Sequence, residues 1–505
     1  MDVALVILDG WGLGDHDRRD AVKAAGTPTF DALAAAGADG RLTVHGRRVG
    51  LPEGQMGDSE VGHVNVGAGR VVEQAYTRID DAIDEGRFGD NEALNAAFDH
   101  AAANDGRVHL LGLVGDGGVH ADQRHLRALI RHAAVRGVET VTHVFTDGRD
   151  TAPTGGAEFL AELEGVVADA GTGDVATVTG RYYAMDRDEN WERTRRAYEA
   201  VVDRAADHEV DAAVAAVEAA YDRGETDEFV EPTLVRGGPA PTDGDGVVVV
   251  NFRADRARQL VRMLGDVAPG DWPFATDPPA TELVTMTAYD ETFDFPVAFP
   301  PEEPTDTLGE VVADHGLSQL RVAESEKYPH VTYFLDGGRE VVFDGESRHI
   351  VPSPDVSTYD QRPEMSAASV TDAAVAETAA EDPALAVLNY ANPDMVGHTG
   401  DFGAAVDAVE TVDAELGRLA EAVRDAGAHL LVTADHGNAD DMGTPEEPHT
   451  AHTFAPVPFV YTTPAGDDGG RSIRADGSLR DVAPTALELL GVERPAAMTG
   501  ESLLE

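Results

Sequence analysis

Val3-Ala4-Leu5-Val6-Ile7-Leu8 is an unbroken apolar run, and it is ended by Asp9-Gly10. Two later runs end the same way. Ala386-Val387-Leu388-Asn389-Tyr390 is followed by Asp394 and His398, and Leu430-Leu431-Val432-Thr433-Ala434 by Asp435 and His436, with His452 shortly after. Short continuous apolar runs of this kind read as strands buried on both faces, the habit of parallel sheets. In open α/β sheets ligands sit beyond the carboxyl ends of the strands, so these residues are expected to converge although they are far apart in the chain. Three aspartates and three histidines suit a divalent transition metal. The chain has no cysteine, so no thiolate can join them.

Working outward, apolar runs recur at 3–8, 109–114, 141–146, 175–179, 247–250, 283–287, 386–390 and 429–434. Helical patterns at 29–36, 123–136, 191–222, 403–426 and 481–490 lie between them. Strands alternating with helices predict an α/β fold with parallel sheets. The stretch Phe299-Pro300-Pro301-Glu302-Glu303-Pro304 reads as a linker. There is no repeat of fixed period and no long low-complexity segment.

Composition sets the surroundings. A chain of 505 residues has room for two or more domains. It carries 38 basic and 93 acidic residues, a net charge of −55, with the acids spread among regular apolar runs rather than gathered in a tail. Such a chain repels itself in dilute buffer. Salt at about 1 M shortens the Debye length to roughly 3 Å and removes most of that repulsion, so a halophilic source and loss of fold at low salt are expected. So acidic a surface argues against nucleic acid as a partner. No stretch reaches the roughly 20 apolar residues of a membrane span, and the N-terminus lacks the basic region of a signal peptide, so a cytoplasmic protein away from membranes is expected. Only two lysines occur, Lys23 and Lys327; the other 36 cations are arginine, whose planar fork grips carboxylates and phosphates.

The middle of the chain supplies a second set of strand-end residues. Gly115-Asp116-Gly117-Gly118-Val119-His120, Asp147-Gly148-Arg149-Asp150, Gly180-Arg181-Tyr182-Tyr183-Ala184-Met185-Asp186-Arg187 and Asn251-Phe252-Arg253-Ala254-Asp255-Arg256 each follow an apolar run. A single arginine in a loop usually makes a solvated salt bridge. Five arginines and a histidine placed this way suggest a cup for a small anion. A middle domain inserted into a metal-binding domain accounts for both sets. A third signal is the glycine-rich stretch from Gly54 to Gly69, in which Ser59 lies. Alone, Ser59 reads as a helix N-cap. A nearby dication changes that reading, because it can bring the pKa of a bound water to about 7 and should act similarly on a serine hydroxyl.

Those motifs together resemble the cofactor-independent (2,3-bisphosphoglycerate-independent) phosphoglycerate mutases of the alkaline phosphatase superfamily. The resemblance runs nearly end to end. It covers Leu8-Asp9-Gly10-Trp11-Gly12, Gly57-Asp58-Ser59-Glu60-Val61-Gly62-His63, the four middle motifs, Glu326-Lys327-Tyr328, Asn392-Pro393-Asp394-Met395-Val396-Gly397-His398 and Ala434-Asp435-His436-Gly437-Asn438. It implies an alkaline-phosphatase-like doubly wound sheet domain, 1–73 and 304–505, holding an inserted α/β substrate-binding domain at 74–303. It implies two Mn2+ or similar divalent ions and no 2,3-bisphosphoglycerate. Asp394, His398 and His452 would hold one ion, and Asp9, Ser59, Asp435 and His436 the other. Ser59 would accept the phosphoryl group, and Lys327 would steady the charge between serine and phosphate. Arg253 and Arg256 would grip the phosphate, while His120, Arg149, Asp150, Arg181 and Arg187 would hold and reorient the glycerate, with Asp150 as acid and base. Domain closure would keep glycerate in and water out. The substrate would be phosphoglycerate, and the resemblance favours a monomer.

Asp58 stands where the family usually has asparagine, and Ala121 where serine is common. His63 reads as structural, and Trp11 and Tyr182-Tyr183 as packing. A metal-dependent phosphatase or another phosphomutase of the superfamily would share the metal set but lack the arginine motifs. A non-catalytic relative would have lost a metal or nucleophile residue, and none is lost.

Overall fold

The Val3–Leu8 run is a strand, buried along its whole length. It lies in a seven-stranded sheet whose order is 346–351, 319–324, 385–390, 3–8, 429–433, 457–462, 38–42. The first five strands pair in parallel, and the last two pairings are antiparallel. Ile7 stands opposite Asn389 on one side and Thr433 on the other. Three neighbouring strands therefore end at one level, and the aspartates and histidines that follow them start from the same edge.

The structure, a computed structural model, describes residues 1–16, 18–267 and 273–505. The chain forms two units, Met1–Gln74 with Glu302–Glu505, and Ala75–Pro301. The second unit has its own seven-stranded sheet, in the order 208–210, 233–235, 174–180, 140–146, 108–114, 246–249, 282–285. Its pairings are parallel except that of 174–180 with 233–235. Successive residues of its strands enter different apolar clusters. Leu110, Val248 and Val284 pack in one, while Leu111, Val249 and Leu283 pack in the other. Both faces are covered, which is why these strands read as continuous apolar runs rather than as alternation.

The expected helix over 191–222 is two helices. Trp191–Tyr198 runs into a π-helical turn, Glu199–Asp203, and stops at Arg204, whose φ of 53° is left-handed. The Arg204 side chain donates to the carbonyls of Ala176 and Val235, both at 2.7 Å, which ties the break to the sheet. Strand His208–Val210 and helix Ala213–Asp222 follow. Alanine, arginine and glutamate favour helix, so composition concealed the break.

Six of the described strands lie outside the apolar runs expected from the sequence. Ala38–Leu42 and Glu346–Val351 are edge strands with polar residues. His208–Val210 and Thr233–Val235 have only three residues each. Gln319–Glu324 is fully buried yet carries Arg321, whose Nη2 donates to Gln319 Oε1 at 2.6 Å. Val457–Thr462 contains Pro458, which argues against a strand on sequence grounds. No helix among the described residues is long and apolar enough to cross a membrane.

Candidate metal centre and anion cup

At the end of the first strand the backbone of Asp9 is fixed from both sides. Its N–H donates to Tyr390 O at 3.0 Å, and its carbonyl accepts from Asp394 N at 3.1 Å. Gly10 has a φ of 76°, and a Cβ there would lie 2.7 Å from Asp394 Cα. Only glycine lets the first strand end this close to the Asn392–Gly397 helix that carries Asp394. Gly62 does the same for the serine helix, since a Cβ there would sit 2.9 Å from Asp435 Cβ.

That helix, Ser59–Ala68, begins at the candidate nucleophile itself. Its N-cap is Asp58, whose Oδ1 accepts from Val61 N at 2.8 Å. The capping reading of Ser59 is thus corrected: the residue before it takes the cap, and the Ser59 hydroxyl is left for other work. Ser59 Oγ lies 2.8 Å from His436 Nε2. This also places the Asp58 carboxylate in a backbone hydrogen bond, a role that asparagine fills equally well.

The metal-type residues come together. His398 Nε2 is 3.2 Å from Asp394 Oδ1, and His452 Nε2 is 3.2 Å from His398 Nε2 and 3.5 Å from Asp394 Oδ1. His436 Nε2 is 3.6 Å from Asp9 Oδ1 and 3.4 Å from Asp435 Oδ2. The far ring nitrogens are held by backbone carbonyls, His398 Nδ1 by Thr450 O at 2.7 Å and His452 Nδ1 by Gly57 O at 2.9 Å. Both rings are thereby fixed with Nε2 turned inward, the usual support for a ligating histidine. Lys327 is buried and donates to Asp9 Oδ1 at 2.9 Å and to Asp394 Oδ2 at 2.8 Å. Asp9, Asp394, Asp435 and His436 are buried, whereas His398 is exposed, so the centre opens on one side.

Three carboxylates face the Lys327 ammonium and the histidines at this centre. Burial disfavours the charged form of Lys327, yet Asp394, Asp9 and Asp435 outweigh it and push its pKa up. Burial likewise works against a charged His452, yet Asp394 raises it to about 9. Burial and then Asp435 push Asp9 up. One buried oxygen, Asp435 Oδ2, accepts no hydrogen bond. Asp394, His398 and His452 form one group able to hold a metal ion, and Asp9, Asp394 and His436 another. Imidazole and carboxylate donors and an unsatisfied carboxylate oxygen fit divalent cations.

In the second unit Arg181 is the fixed point. It is buried, and its Nη1 donates to Asp147 Oδ1 at 2.7 Å and also to Asp150 Oδ2. Asp147 Oδ1 in turn accepts from the backbone of Arg149 and Asp150, at 3.1 and 2.9 Å, and so shapes the turn. His120 Nε2 is 3.9 Å from Asp150 Oδ2, and its Nδ1 is 3.6 Å from Asp255 Oδ1. Asp255 also takes Arg187 at 2.9 Å and Arg253 at 3.3 Å. Burial, and then the positive charge of Arg181, lower the His120 pKa to about 4, so its ring is neutral near pH 7. Arg256 donates to Met185 O at 3.3 Å, and Arg149 reaches Glu228 at 3.4 Å. Ala121 packs in an apolar cluster, and His120 Nδ1 has no hydrogen-bond partner.

Residues 1–494 match the model of the metalloenzyme superfamily. The chain is 68% identical to the 2,3-bisphosphoglycerate-independent phosphoglycerate mutase of Natronomonas pharaonis and 64% identical to that of Haloquadratum walsbyi, with all of each chain covered. Among solved structures it is similar to a Leishmania mexicana phosphoglycerate mutase determined at low cobalt concentration. The identity there is 33% and the TM-score 0.67, over 100% of this chain and 97% of that one.

The chain belongs to the 2,3-bisphosphoglycerate-independent phosphoglycerate mutases. It is therefore a mutase acting on a small phosphorylated substrate, with the two-sheet α/β fold of its relatives, some of them from halophiles. Several residues that shape this mutase's two sites carry no clear signal in the sequence. Asn389 donates to Asp9 Oδ2 at 2.8 Å, and Asn438 donates to Asp394 Oδ1 at 2.9 Å. Asp440 takes the Thr453 hydroxyl at 2.9 Å on both oxygens, bracing the turn after His452, and burial raises its pKa to about 6. Asn389 was detectable as a polar residue inside an apolar strand, and Asp147 and Asp255 as acids inside arginine motifs. Trp11 is buried against Phe30, and Tyr182 packs edge-on to Tyr183 beneath Arg193, so these aromatics pack rather than react.

Proposed function

We propose that the chain interconverts 3-phosphoglycerate and 2-phosphoglycerate through a phosphoserine at Ser59, with two divalent ions and without 2,3-bisphosphoglycerate. The observation that carries this reading is the Ser59 hydroxyl, 2.8 Å from His436 Nε2 at the start of a helix, beside a buried lysine and three carboxylates. Asp394, His398 and His452 would hold one ion, and Asp9, Ser59, Asp435 and His436 the other, with manganese the ion we favour. When bound, the ions would offset charge on the attacking and leaving oxygens of phosphoryl transfer.

The residues divide the work. Ser59 Oγ gives up its proton and attacks phosphorus, the bond from phosphorus to the glycerate oxygen breaks, that oxygen takes up a proton, and glycerate stays bound. Lys327 keeps a positive charge beside the reacting phosphoryl group without needing to lose a proton. Arg253 and Arg256 grip the phosphate. Arg181, Arg149, Arg187 and His120 hold the glycerate while it turns and presents its other hydroxyl to phosphoserine, and Asp150 carries protons at the glycerate oxygens. Phosphoryl transfer needs positioning and charge more than covalent help from protein, which is what this set offers. The first unit would act as the phosphatase-like half and the second as the glycerate-holding half. We place the enzyme in the cytoplasm as a monomer, with no nucleic-acid or membrane partner, in keeping with its charge of −55.

The test is conversion of 3-phosphoglycerate in molar KCl with manganese and no bisphosphoglycerate, by wild type and Ser59→Ala. Wild type should convert it and lose activity to chelator, while Ser59→Ala should fall by at least about 10⁴-fold, as nucleophile removal does elsewhere. Release of inorganic phosphate by wild type would make the enzyme a phosphatase and overturn the roles given to the second unit's arginines.

A further inference from the structure

Beside the candidate metal centre lies a buried hydrogen-bonded path that none of the roles above uses. Asn389 and His63 are both fully buried. Asn389 Nδ2 is 2.8 Å from Asp9 Oδ2 and 3.2 Å from His63 Nε2. His63 Nδ1 is 2.9 Å from the carbonyl oxygen of Ser59 and 3.3 Å from Asp435 Oδ2.

Donor and acceptor chemistry fixes how this path is wired. A carboxylate only accepts, so the atom facing Asp9 must be the amide NH2 of Asn389. That group has two hydrogens. One goes to Asp9, and the other points at His63 Nε2, which therefore accepts. A neutral imidazole that accepts at Nε2 carries its proton at Nδ1. That proton goes to the Ser59 carbonyl, and the Asp435 carboxylate lies 3.3 Å from the same nitrogen without taking the hydrogen bond. Every donor in the path thus has an acceptor, and the direction runs one way, from Asn389 to Asp9 and from Asn389 through His63 to Ser59.

We infer that Asn389 and His63 are positioning residues that lock Asp9, Asp435 and the Ser59 backbone into one frame, so that the ion on the Ser59 side meets a preformed site. The inference rests on the two-ion reading above and deepens it. The two carboxylates stand at the ends of adjacent strands and repel each other. A donor placed against each would steady them, and the same frame would set the height of the serine helix. The Asp394, His398 and His452 group receives nothing from this path. Its supports are Asn438, Thr450 O and Gly57 O. The two ions should therefore respond differently when the path is cut.

The experiment is Mn2+ binding, followed by electron paramagnetic resonance and calorimetry in molar KCl, for wild type, His63→Phe, Asn389→Leu, the double variant and Ser59→Ala. Circular dichroism of the metal-free proteins checks the fold. The wild type should bind two ions. In each single variant one ion should weaken by about ten- to a hundredfold, the usual cost of losing a group behind a metal ligand. The affected ion should be the one whose spectrum Ser59→Ala also alters, and the double variant should bind it no more weakly than the worse single. His63→Asn keeps a donor near the Nδ1 position and should fall between wild type and His63→Phe. Retention of both ions at wild-type affinity would overturn the inference, as would equal weakening of both, which is the mark of general damage. Losses that multiply in the double variant would also overturn it, because they would show two independent supports and no path. Failure of the wild type to hold two ions would instead bring down the two-ion reading itself.

Discussion

The candidate metal centre and the proposed anion cup are built to opposite plans. In the first unit the charged groups are buried and already paired: Lys327, Asp9 and Asp394 are each no more than 3% exposed and lie within 3 Å of a partner. In the second, the Arg181–Asp147 pair is fixed in that way, while Arg149, Arg187 and Arg253 have side chains 59%, 46% and 51% exposed. Ions need donors at set distances, and a rigid frame supplies them without reorganisation. A glycerate that must turn needs partners that can let go and re-form. On the proposed roles, the difference teaches that one enzyme can keep its phosphoryl-transfer chemistry stiff and its substrate grip loose, by choosing how deeply each charge is buried.

The sharpest way to break this contrast is at Lys327. Lys327→Met leaves two buried carboxylates without their cation, and removing one member of a buried pair costs roughly 3–5 kcal/mol. Denaturant unfolding of the metal-free protein in molar KCl should show that loss. A loss below about 1 kcal/mol, the range of a surface pair, would place the lysine in a wetter setting than the structure gives it.

A smaller effect separates the buried residues of the proposed cup from the exposed ones. His120 has its pKa lowered to about 4 from an ordinary value of 6.5. Its folded form therefore binds fewer protons than the unfolded chain between those values, and stability rises with pH across that window. The contribution is complete above about pH 6.5 and is lost as pH falls towards 4, amounting to roughly 3 kcal/mol. Unfolding of wild type and His120→Asn from pH 4 to 7 should show a shallower slope in the variant. Parallel slopes would mean that the ring is solvated and belongs with the exposed residues.

How much of this was legible in the sequence follows the same division. The buried runs at 3–8, 386–390 and 429–434 carry an unmistakable signal, because a strand covered on both faces has no polar alternation. The aspartates and histidines after them were readable as a converging set for the same reason. The edge strands Ala38–Leu42 and Glu346–Val351 were not, since an edge tolerates polar residues and so looks like a loop. The break at Arg204 was invisible because a tertiary contact with Ala176 and Val235 overrides local helix preference. At the site, the chemistry-bearing residues announce themselves by type, but their supports do not. Asn389 looks like one polar residue in a strand, and only the fold shows that its amide lies against Asp9.

The smallest effect is the most direct measure of how loose the grip is. Arg181 and Arg149 are both proposed to hold glycerate, but the free protein spends them differently. Arg181 has two carboxylate partners in a buried pocket, and a lysine there keeps the charge but not the fork. Arg181→Lys should lower kcat/KM by about a hundredfold, near the lower end of the cost of disturbing a buried charge pair. Arg149 has one contact at 3.4 Å and projects into solvent, so Arg149→Lys should cost less than about tenfold, mostly as a rise in KM. Steady-state kinetics in molar KCl with manganese would rank the two. If Arg149→Lys proved the costlier change, substrate rather than the free protein would be organising the cup, and depth of burial would no longer indicate which arginines do the holding.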